Sequence, residues 1–288
     1  MKHIIFGDLH GNINLFNKVN KFIKSTDDYK VVFLGDYVDN RQVTWGNNHN
    51  PEFGRKKQQE LLKTMMYEYE PEKMTYLIGN HDLQYMIKPH VENPFQCSGY
   101  SAGAGFSFYP YYEKMMDKKI LKFYHSIDNL LCTHAGLDGD IFKQLPNTKH
   151  IPFEEITIDD INETLKPLTN DMYLYVLSSG NRNSEVKSLF DIGYISGGYK
   201  SCGGIFWLRP SEITVPTATN KNIIQIFGHT SNIHGLPLHS PYYLNPSLIM
   251  SDTSLFMYPT EFIVYDDIKK EIIFENFEDF FDFNKKIL

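Results

Sequence analysis

The stretch Ile4-Ile5-Phe6-Gly7-Asp8 is a short apolar run that ends in a residue able to bind a metal or a phosphate. A continuous apolar run is typical of a strand buried on both faces of a sheet. The glycine before the aspartate has no Cβ, so the chain can turn sharply and its backbone can approach an ion closely. Four more runs share this design, and all but one place a glycine directly before the final residue. They are Val31-Val32-Phe33-Leu34-Gly35-Asp36, Tyr76-Leu77-Ile78-Gly79-Asn80, Leu130-Leu131-Cys132-Thr133-His134 and Ile223-Ile224-Gln225-Ile226-Phe227-Gly228-His229.

The five runs predict where the ligand-binding side chains meet. Open α/β sheets bind ligands beyond the carboxyl ends of their strands, so we expect one edge of one sheet to collect the five final residues. Helical spacing of apolar residues over 12–25 predicts a strand, helix, strand unit and the start of a doubly wound sheet. Because the runs extend from residue 4 to residue 229, we expect a single domain over residues 1–288.

Three segments between the runs are predicted to surround the ligand edge. Residues 42–54 and 92–110 are rich in glycine, proline or asparagine without periodicity, so we expect two inserted loops that form walls of a substrate site. Residues 138–190 have helical spacing interrupted by prolines, which predicts a helical cap over that site.

The end of the chain has strand patterns near 247–257, 261–266 and 270–275. Asp266-Asp267 between the last two patterns is a hairpin signal. Antiparallel pairing there implies a mixed sheet or a second sheet.

The amino-acid composition indicates which classes of protein the chain can belong to. Of 288 residues, 42% are hydrophobic and 22% charged, which is ordinary for a globular chain. A formal net charge of -7 argues against general nucleic-acid binding or membrane-surface binding. The three cysteines form no CxxC pair, which favours a reducing, cytoplasmic setting. We expect no membrane span and no signal peptide, because the apolar stretches are short and the first strand begins at residue 2.

The ligand-binding side chains form a set that suits metal ions. Asp8-Leu9-His10 places two ligands at alternate positions, and four further ligands end the other runs. Three carboxylate or amide oxygens and three imidazoles are too many for one ion but suit two ions that share a bridging carboxylate. Two ions ~3.5–4 Å apart can hold a phosphoryl oxygen and activate water for phosphoester hydrolysis. The predicted metal ligands are Asp8, His10, Asp36, Asn80, His134 and His229.

Hydrolysis also needs a proton for the leaving group and a clamp for the phosphate. His81 directly follows the ligand Asn80 and is the predicted proton donor. Asp39 is its predicted partner, which would fix the tautomer of His81 and raise its pKa. A planar guanidinium would hold the nonbridging oxygens, and the candidates are Arg209 and Arg41.

At these residues the chain resembles the calcineurin-like metallophosphoesterases, and within them the phosphoprotein-phosphatase branch of bacterial and phage type. The resemblance covers residues 1–267 in order. It implies a four-layer α/β/β/α sandwich of two mixed sheets flanked by helices, with His81 and Asp39 as the acid pair. The matching motifs are Gly7-Asp8-Leu9-His10-Gly11, Gly35-Asp36-Tyr37-Val38-Asp39, Gly79-Asn80-His81-Asp82, Thr133-His134-Ala135-Gly136 and Gly228-His229-Thr230.

The resemblance also divides the ligands between two metals. It implies that Asp8, His10 and Asp36 bind one ion. Asp36 is shared with the second ion, and the further ligands of that ion are Asn80, His134 and His229.

A sixth likeness and two departures concern phosphate binding and the ends of two motifs. The stretch from Gly203 to Arg209 is similar to a Trp-x-Arg stretch of bacterial and phage members, which implies that Arg209 binds phosphate. The family usually has Arg-Gly after Asp-x-Val-Asp, whereas this chain has Asn40-Arg41 and an inserted loop. The third motif ends in Asp82 where phosphoprotein phosphatases have Glu.

The sequence therefore predicts a cytoplasmic, dinuclear metal-dependent phosphoesterase that hydrolyses phosphomonoesters, with phosphoserine or phosphothreonine in proteins as the leading substrate. Mn²⁺ is the leading metal, with Fe and Zn as alternatives, since the set has no thiolate. The second hypothesis is a nucleotide substrate such as a dinucleoside polyphosphate, and the third is a non-catalytic binding module on the same fold. The aromatic residues between 106 and 112 are either packing residues or a stacking wall for a base.

Overall fold

Two mixed β-sheets flanked by helices form the architecture in the computed structural model, which describes residues 1–39, 51–145, 148–182, 185–212, 220, 222–230, 242–245, 248–251 and 261–285. The predicted fold class is confirmed. Arg41 and most of the predicted 42–54 loop lie outside the described residues. None of the helices in the described ranges is long and apolar enough to span a membrane.

The first sheet has six strands in the order β11-β10-β1-β2-β3-β4. Strands β1 to β4 are parallel, and β10 and β11 extend the sheet as an antiparallel hairpin. The hairpin predicted around Asp266-Asp267 is confirmed. The strands are β1 (Lys2–Phe6), β2 (Tyr29–Phe33), β3 (Met74–Leu77), β4 (Leu121–Lys122), β10 (Glu261–Asp266) and β11 (Glu271–Asn276).

The second sheet has five strands in the order β5-β6-β7-β9-β8. Strands β6, β7 and β9 are parallel, and the two edge strands β5 and β8 are antiparallel to their neighbours. The strands are β5 (His125–Ile127), β6 (Leu130–Cys132), β7 (Ile224–Phe227), β8 (Tyr242–Asn245) and β9 (Leu248–Met250).

The prediction that one sheet edge collects all the ligand runs was wrong. The first three runs are β1, β2 and β3 of the first sheet, whereas the last two are β6 and β7 of the second. A run of apolar residues indicates that a strand is buried, but it contains no information about which sheet the strand joins. The side chains of Ile5, Val32 and Cys132 belong to one apolar cluster that draws on both sheets, so the sheets pack against each other.

Helices cover the sheets and connect the strands. The amphipathic spacing predicted over 12–25 is confirmed as a helix whose apolar side chains are buried. The helices are α1 (Ile13–Lys24), α2 (Pro51–Tyr67), α3 (Asn80–Leu83), α4 (Ala102–Asp117), α5 (Gly139–Phe142), α6 (Ile158–Leu177) and α7 (Phe277–Lys285). Short 3₁₀ turns occur at Phe153–Glu155, Lys187–Phe190, Tyr194–Ser196 and Pro210–Glu212.

The irregular structure predicted over 92–110 is correct only as far as residue 101. Helix α4 begins at Ala102 and continues through Pro110, with the Ser101 hydroxyl accepting a hydrogen bond from the Ala104 amide as its N-cap. Its side chains Phe108 and Tyr112 are buried, and the helix packs against α2. This packing outweighs the weak helix propensity of the glycines and the proline. Likewise, residues 51–54 belong to α2 rather than to a loop.

The segment 138–190 contains α5, α6 and two 3₁₀ turns, in agreement with the predicted helical pieces. Its role as a cap over the site stays a prediction, as do the boundaries of the single domain.

Candidate metal centre

The first group of potential ligands follows β1 and β2. One ligand atom each from Asp8, His10 and Asp36 lies within 4.8 Å of the other two, and all three residues are buried. The His10 Nε2 atom is 3.6 Å from Asp8 Oδ2 and 3.7 Å from Asp36 Oδ2. The two aspartates and the histidine can therefore bind a single cation.

The second group contains Asp36 again, with two histidines from the second sheet. Ligand atoms of Asp36, His134 and His229 lie within 4.8 Å of one another. The Asn80 Oδ1 atom lies 2.9 Å from His134 Nε2 and 2.9 Å from His229 Nδ1. Because Asp36 belongs to both groups, the arrangement suits two ions that share one carboxylate.

Backbone carbonyls fix the tautomers of two histidines. The Nδ1 atom of His10 is 3.2 Å from the Val38 carbonyl, and Nδ1 of His134 is 3.0 Å from the Leu34 carbonyl. A carbonyl accepts but cannot donate, so each Nδ1 carries the proton. The lone pair of each Nε2 then faces the carboxylates and Asn80, as in proteins whose histidines bind metals.

The backbone is strained at four residues of this site. His10, Asp36, Asp39 and His229 have φ angles of 42°, 52°, 62° and 68°, in the left-handed region that glycine favours. Such strain costs free energy and is typical of functional sites, where the surrounding structure holds the residue in place. The His229 amide, for example, donates to Asp8 Oδ1 at 3.1 Å.

Two glycines permit close approach of the ligands. A Cβ on Gly79 would collide with Asp36 Oδ1, and a Cβ on Gly228 would lie 2.5 Å from Asp8 Oδ1. The glycines that precede Asn80 and His229 in the sequence therefore leave room for carboxylates from other strands. This is the close approach that their positions in the sequence predict.

Asp82 joins the two motifs that carry Asp36 and Asn80. Its carboxylate accepts hydrogen bonds from the amides of Asp36, Tyr37 and Gly79 at 2.8, 3.0 and 2.8 Å, and from the Tyr112 hydroxyl at 2.5 Å. Burial raises the pKa of Asp82 to about 6, against the opposing effect of these donors. Sequence reasoning noted Asp82 only as a departure from Glu and missed this anchoring role.

The electrostatics of the site favour bound cations. Burial, and then the charges of Asp8 and Asp82, raise the pKa of Asp36 well above its usual value. Burial lowers the pKa of His134 to about 4, so this imidazole is a neutral donor near neutral pH. Two buried carboxylates that repel each other beside neutral imidazoles match the ligands of divalent metal ions. The residues present therefore fit a dinuclear metal centre.

His81 and Asp39 form a buried pair beside this centre. The Nδ1 atom of His81 is 2.9 Å from Asp39 Oδ2, as the sequence predicted for the two residues. Asp39 is fixed by further donors, namely the Tyr85 hydroxyl at 2.7 Å and the Gln84 side-chain amide. The Asp39 amide in turn donates to Gln58 Oε1 at 2.7 Å.

Gln58, Gln84 and Tyr85 were not found from the sequence. The available signal for Gln84 and Tyr85 was that they follow α3, which contains His81, directly in the chain. Gln58 is distant in the chain and belongs to α2, so no local pattern points to it.

Arg209 lies next to the candidate ligand His229. Its Nη1 atom donates to the His229 carbonyl at 3.3 Å and to the Thr230 hydroxyl at 3.2 Å, and its Nε donates to the Ser196 hydroxyl at 3.1 Å. Burial, and then the charge of Arg209, lower the pKa of His229 well below its usual value. The other candidate arginine, Arg41, lies outside the described residues.

Two of the five aromatic residues between 106 and 112 are buried. Phe108 and Tyr112 are buried, with Phe108 against Tyr85 and the Tyr112 hydroxyl on Asp82. Phe106 is 64% exposed, and the Tyr109 hydroxyl donates to Glu113 at 2.7 Å. The packing interpretation therefore accounts for the two buried rings.

Comparison with known proteins identifies relatives of this chain. The model of the family described as calcineurin-like phosphoesterase matches residues 1–232. No curated protein matches the sequence.

Solved structures with a similar fold include a cold-active protein-tyrosine phosphatase of the psychrophile Shewanella sp., with 13% identity and a TM-score of 0.60 over 96% of this chain and 77% of that chain. A point mutant of a cold-active protein-tyrosine phosphatase has 14% identity and a TM-score of 0.57, with the same 96% and 77% coverage. A protein serine/threonine phosphatase from Saccharomyces cerevisiae has 16% identity and a TM-score of 0.45 over 96% of this chain and 79% of that chain. At these identities the likeness concerns the fold.

Proposed function

This chain belongs to the calcineurin-like phosphoesterase family, and we propose that it hydrolyses phosphomonoesters, with phosphoserine or phosphothreonine in proteins as the leading substrate. Family membership makes it a metal-dependent phosphoester hydrolase. The observation that carries the proposal is the convergence of ligands from both sheets on the shared Asp36, with the His81–Asp39 pair beside them.

We assign the metal ligands as the two groups described above. Asp8, His10 and Asp36 would hold one ion. Two divalent ions held in the site would supply Lewis-acid stabilisation of the phosphoryl oxygens and lower the pKa of a water. Mn²⁺ is the leading metal and Fe or Zn the alternative, because oxygen and imidazole donors suit all three. The second ion would be held by Asp36, Asn80, His134 and His229.

His81 would donate a proton to the leaving oxygen of the substrate. Asp39 accepts from Nδ1 of His81 and so leaves Nε2 available for the reaction side of the ring. The buried carboxylate also stabilises the charged imidazolium that must be present before the proton is given. Tyr85 and Gln84 hold Asp39 in this orientation.

Arg209 would bind the nonbridging phosphate oxygens. A guanidinium offers a rigid fork of donors that matches phosphate geometry. Its contacts with His229 and Thr230 place its charge at the edge of the metal centre.

The protein substrate is preferred to a nucleotide because of α4. A base-stacking wall needs several exposed rings, whereas the rings of Phe108 and Tyr112 are buried and Phe106 is the aromatic side chain of α4 that is well exposed. A dinucleoside polyphosphate stays the alternative, since residues 40–50 lie outside the described residues and belong to the second predicted wall.

The three cysteines, Cys97, Cys132 and Cys202, are free thiols in the structure. Free thiols support a reducing, cytoplasmic setting for the enzyme, which we include in the proposal.

A matched substrate panel tests the proposal. The manganese-loaded protein would be assayed with a phosphothreonine peptide, a phosphotyrosine peptide, p-nitrophenyl phosphate and diadenosine tetraphosphate, each with a chelator control. We expect the phosphothreonine peptide to have the highest kcat/KM. A higher kcat/KM for the dinucleotide would assign the enzyme to nucleotide hydrolysis. A higher kcat/KM for the phosphotyrosine peptide would show that the preferred phosphorylated residue is tyrosine rather than threonine.

The His81→Asn variant tests whether the protein is an enzyme or a non-catalytic binding module. General acid catalysis contributes about 10²–10⁴-fold, so we expect a kcat loss of at least about 10²-fold on the phosphothreonine peptide. The loss on p-nitrophenyl phosphate should be smaller, because p-nitrophenolate leaves with little need of a proton. The exposed His90→Asn is the matched control and should retain wild-type kcat. Equal activity of the His81 variant and the control would support a non-catalytic module instead.

A further inference from the structure

A second group of polar side chains lies at the end of the first sheet opposite the metal centre. His3 is near the start of β1, whereas Asp8 follows its end, so the two are roughly 16 Å apart along extended chain. Lys30 is near the start of β2, and Asp36 follows the end of that strand. A ligand bound near His3 and Lys30 would therefore not touch the metal centre.

Strand alternation directs these side chains into the layer between the two sheets. Side chains two apart on a strand share a face, so His3 faces the same way as Ile5, and Lys30 the same way as Val32. Ile5 and Val32 belong to the apolar cluster between the sheets. His3 and Lys30 are paired in register on neighbouring strands, so their side chains are adjacent.

Two further cationic or imidazole side chains join them. Lys122 is paired in register with Leu77, which belongs to the same apolar cluster, so it also faces the layer between the sheets. His125 belongs to β5 of the second sheet. The backbone of Lys122 lies at the level of the last residue of β3, so Lys122 belongs to this group through its side chain, which lines the same cavity as His3 and Lys30.

A cavity of about 160 Å³ is lined by all four of these side chains. A single water needs only ~10–15 Å³ of such space, so the cavity has room for a tetrahedral oxyanion.

The positive charge of the cavity is poorly compensated. Lys30 and Lys122 are half-buried, and within the described ranges neither forms an ion pair with a carboxylate. Lys73 also lines the cavity, but its ammonium is held 2.8 Å from Asp27 Oδ1. The exposed Glu72 is the one carboxylate among the described lining residues. The charge of Glu72 acts on Lys122, whereas no described carboxylate is paired with Lys30. A bound anion would therefore stabilise the half-buried ammonium group of Lys30.

His3 and His125 provide two further indications that the cavity binds an anion. The His3 side chain is only 10% exposed, and its Nδ1 has no hydrogen-bond partner among the described residues. Its Nε2 is 3.7 Å from Asp267 Oδ2. Burial, and then the charges of Lys122, His3 and Lys30, lower the pKa of His125 to about 4. The cavity thus has positive potential and an unused imidazole nitrogen.

We propose that this cavity is a phosphate-binding site, which takes either the free ion or the phosphate group of a small phosphorylated molecule. Lys30 and Lys122 supply compact positive charges from the first sheet, as lysines do in phosphate sites. His3 and His125 supply ring N–H donors from the two sheets. A phosphate held here would contact side chains from both sheets. The proposed site does not depend on which substrate the metal centre hydrolyses.

Calorimetric titration of the manganese-loaded protein with inorganic phosphate tests the site. We expect two phosphates per chain, one at the metal centre and one in the cavity. The double variant Lys30→Met/Lys122→Met should no longer bind phosphate in the cavity, because the loss of each lysine should weaken this binding about tenfold. Lys21→Met/Lys63→Met, at exposed positions of α1 and α2, should retain both events.

A wild-type protein that binds one phosphate, or a double variant that still binds two, would overturn the proposal. If thermal unfolding shows that the double variant is not folded, the single Lys30→Gln variant replaces it, and unchanged affinity in both events would then overturn the site. Methylphosphonate distinguishes the sources of the phosphate. Tighter binding of methylphosphonate than of phosphate at the cavity would indicate an esterified phosphate, and the reverse order would indicate the free ion.

Discussion

Asp82 is the residue on which two metal-binding motifs depend. Its carboxylate accepts hydrogen bonds from the amide of the candidate ligand Asp36 and from the amide of Gly79, which precedes the candidate ligand Asn80. An amide side chain at this position would turn two hydrogens toward groups that are themselves donors. Asp82 therefore fixes the backbone of Asp36 relative to Gly79, while the Asp36 carboxylate itself accepts a hydrogen bond from the His81 amide at 2.9 Å.

Asp82→Asn should consequently destabilise the protein by about 2–4 kcal/mol, since each buried donor left without an acceptor costs roughly 1–3 kcal/mol. Tyr112→Phe removes only the hydroxyl donor to Asp82 and should cost about 1 kcal/mol. Urea unfolding of both variants measures the difference. An Asp82→Asn protein no less stable than Tyr112→Phe would show that Asp82 is not the anchor.

Arg209→Ala tests the assigned phosphate clamp. Loss of a charge-assisted contact should raise the inhibition constant of inorganic phosphate about tenfold or more, while the bound metal content is retained. Inhibition of p-nitrophenyl phosphate hydrolysis and elemental analysis provide the two readouts. The exposed Arg182→Ala controls for loss of a surface charge. Unchanged phosphate inhibition in Arg209→Ala would remove Arg209 from the site.

At the residue scale, the sequence predicted which candidate ligands lie together, because they come within four residues after the ends of β1, β2, β3, β6 and β7. No single one of these residues indicates a metal site, and the prediction came from the whole set in its order along the chain. The residues that hold Asp39 could not be found in this way. Gln58 reaches Asp39 through the packing of α2, and only the folded structure brings the two together.

At the scale of the element, α4 shows where pattern reasoning failed. Glycines and Pro110 suggested a loop, yet the segment from Ala102 is a helix because Phe108 and Tyr112 bury one face and Ser101 caps the start. Helix α4 also supplies the hydroxyl that binds Asp82, so it supports the metal centre through α3.

Gly103→Ala should stabilise the protein by about 0.5–1 kcal/mol, because alanine is the better helix residue. Gly103 is exposed within α4, and an added Cβ would make only an ordinary contact with Arg55 at 3.5 Å. Thermal unfolding measures the change.

The Gly99→Ala variant, just before the same helix, should change the stability in the opposite direction. Gly99 has a φ of 95°, and a Cβ there would lie 3.2 Å from Asp39 Cγ. This variant should therefore be less stable than the wild type and should have reduced turnover. A Gly103→Ala protein that is equally destabilised would argue against a helix from Ala102.

At the scale of the whole molecule, the metal centre lies where the two sheets meet. Asp8, His10 and Asp36 come from the first sheet, and His134 and His229 from the second. Apolar runs predicted the strands correctly but assigned them to one sheet, since a buried strand has the same composition in either sheet. The two-sheet arrangement came from the resemblance of the motifs, and the strand patterns near the end of the chain left a mixed sheet or a second sheet open.

A centre shared by both sheets also contributes to stability. Without cations the buried carboxylates of Asp8 and Asp36 repel each other, so bound metal should stabilise the folded chain. At a metal concentration of 100 Kd the gain is about 2.7 kcal/mol per site. We expect the Tm to rise with Mn²⁺ concentration, and to rise less in Asp36→Asn, which removes the shared carboxylate. A Tm that is independent of metal in the wild type would contradict this linkage.

Activity during stepwise metal addition tests the dinuclear centre most directly. The chelated protein would be titrated with Mn²⁺ while hydrolysis of p-nitrophenyl phosphate and the bound metal per chain are measured together. The structure predicts no hydrolysis in the chelated protein and full activity only when two ions are bound per chain. Hydrolysis that persists after chelation, or that saturates at a single bound ion, would contradict the account.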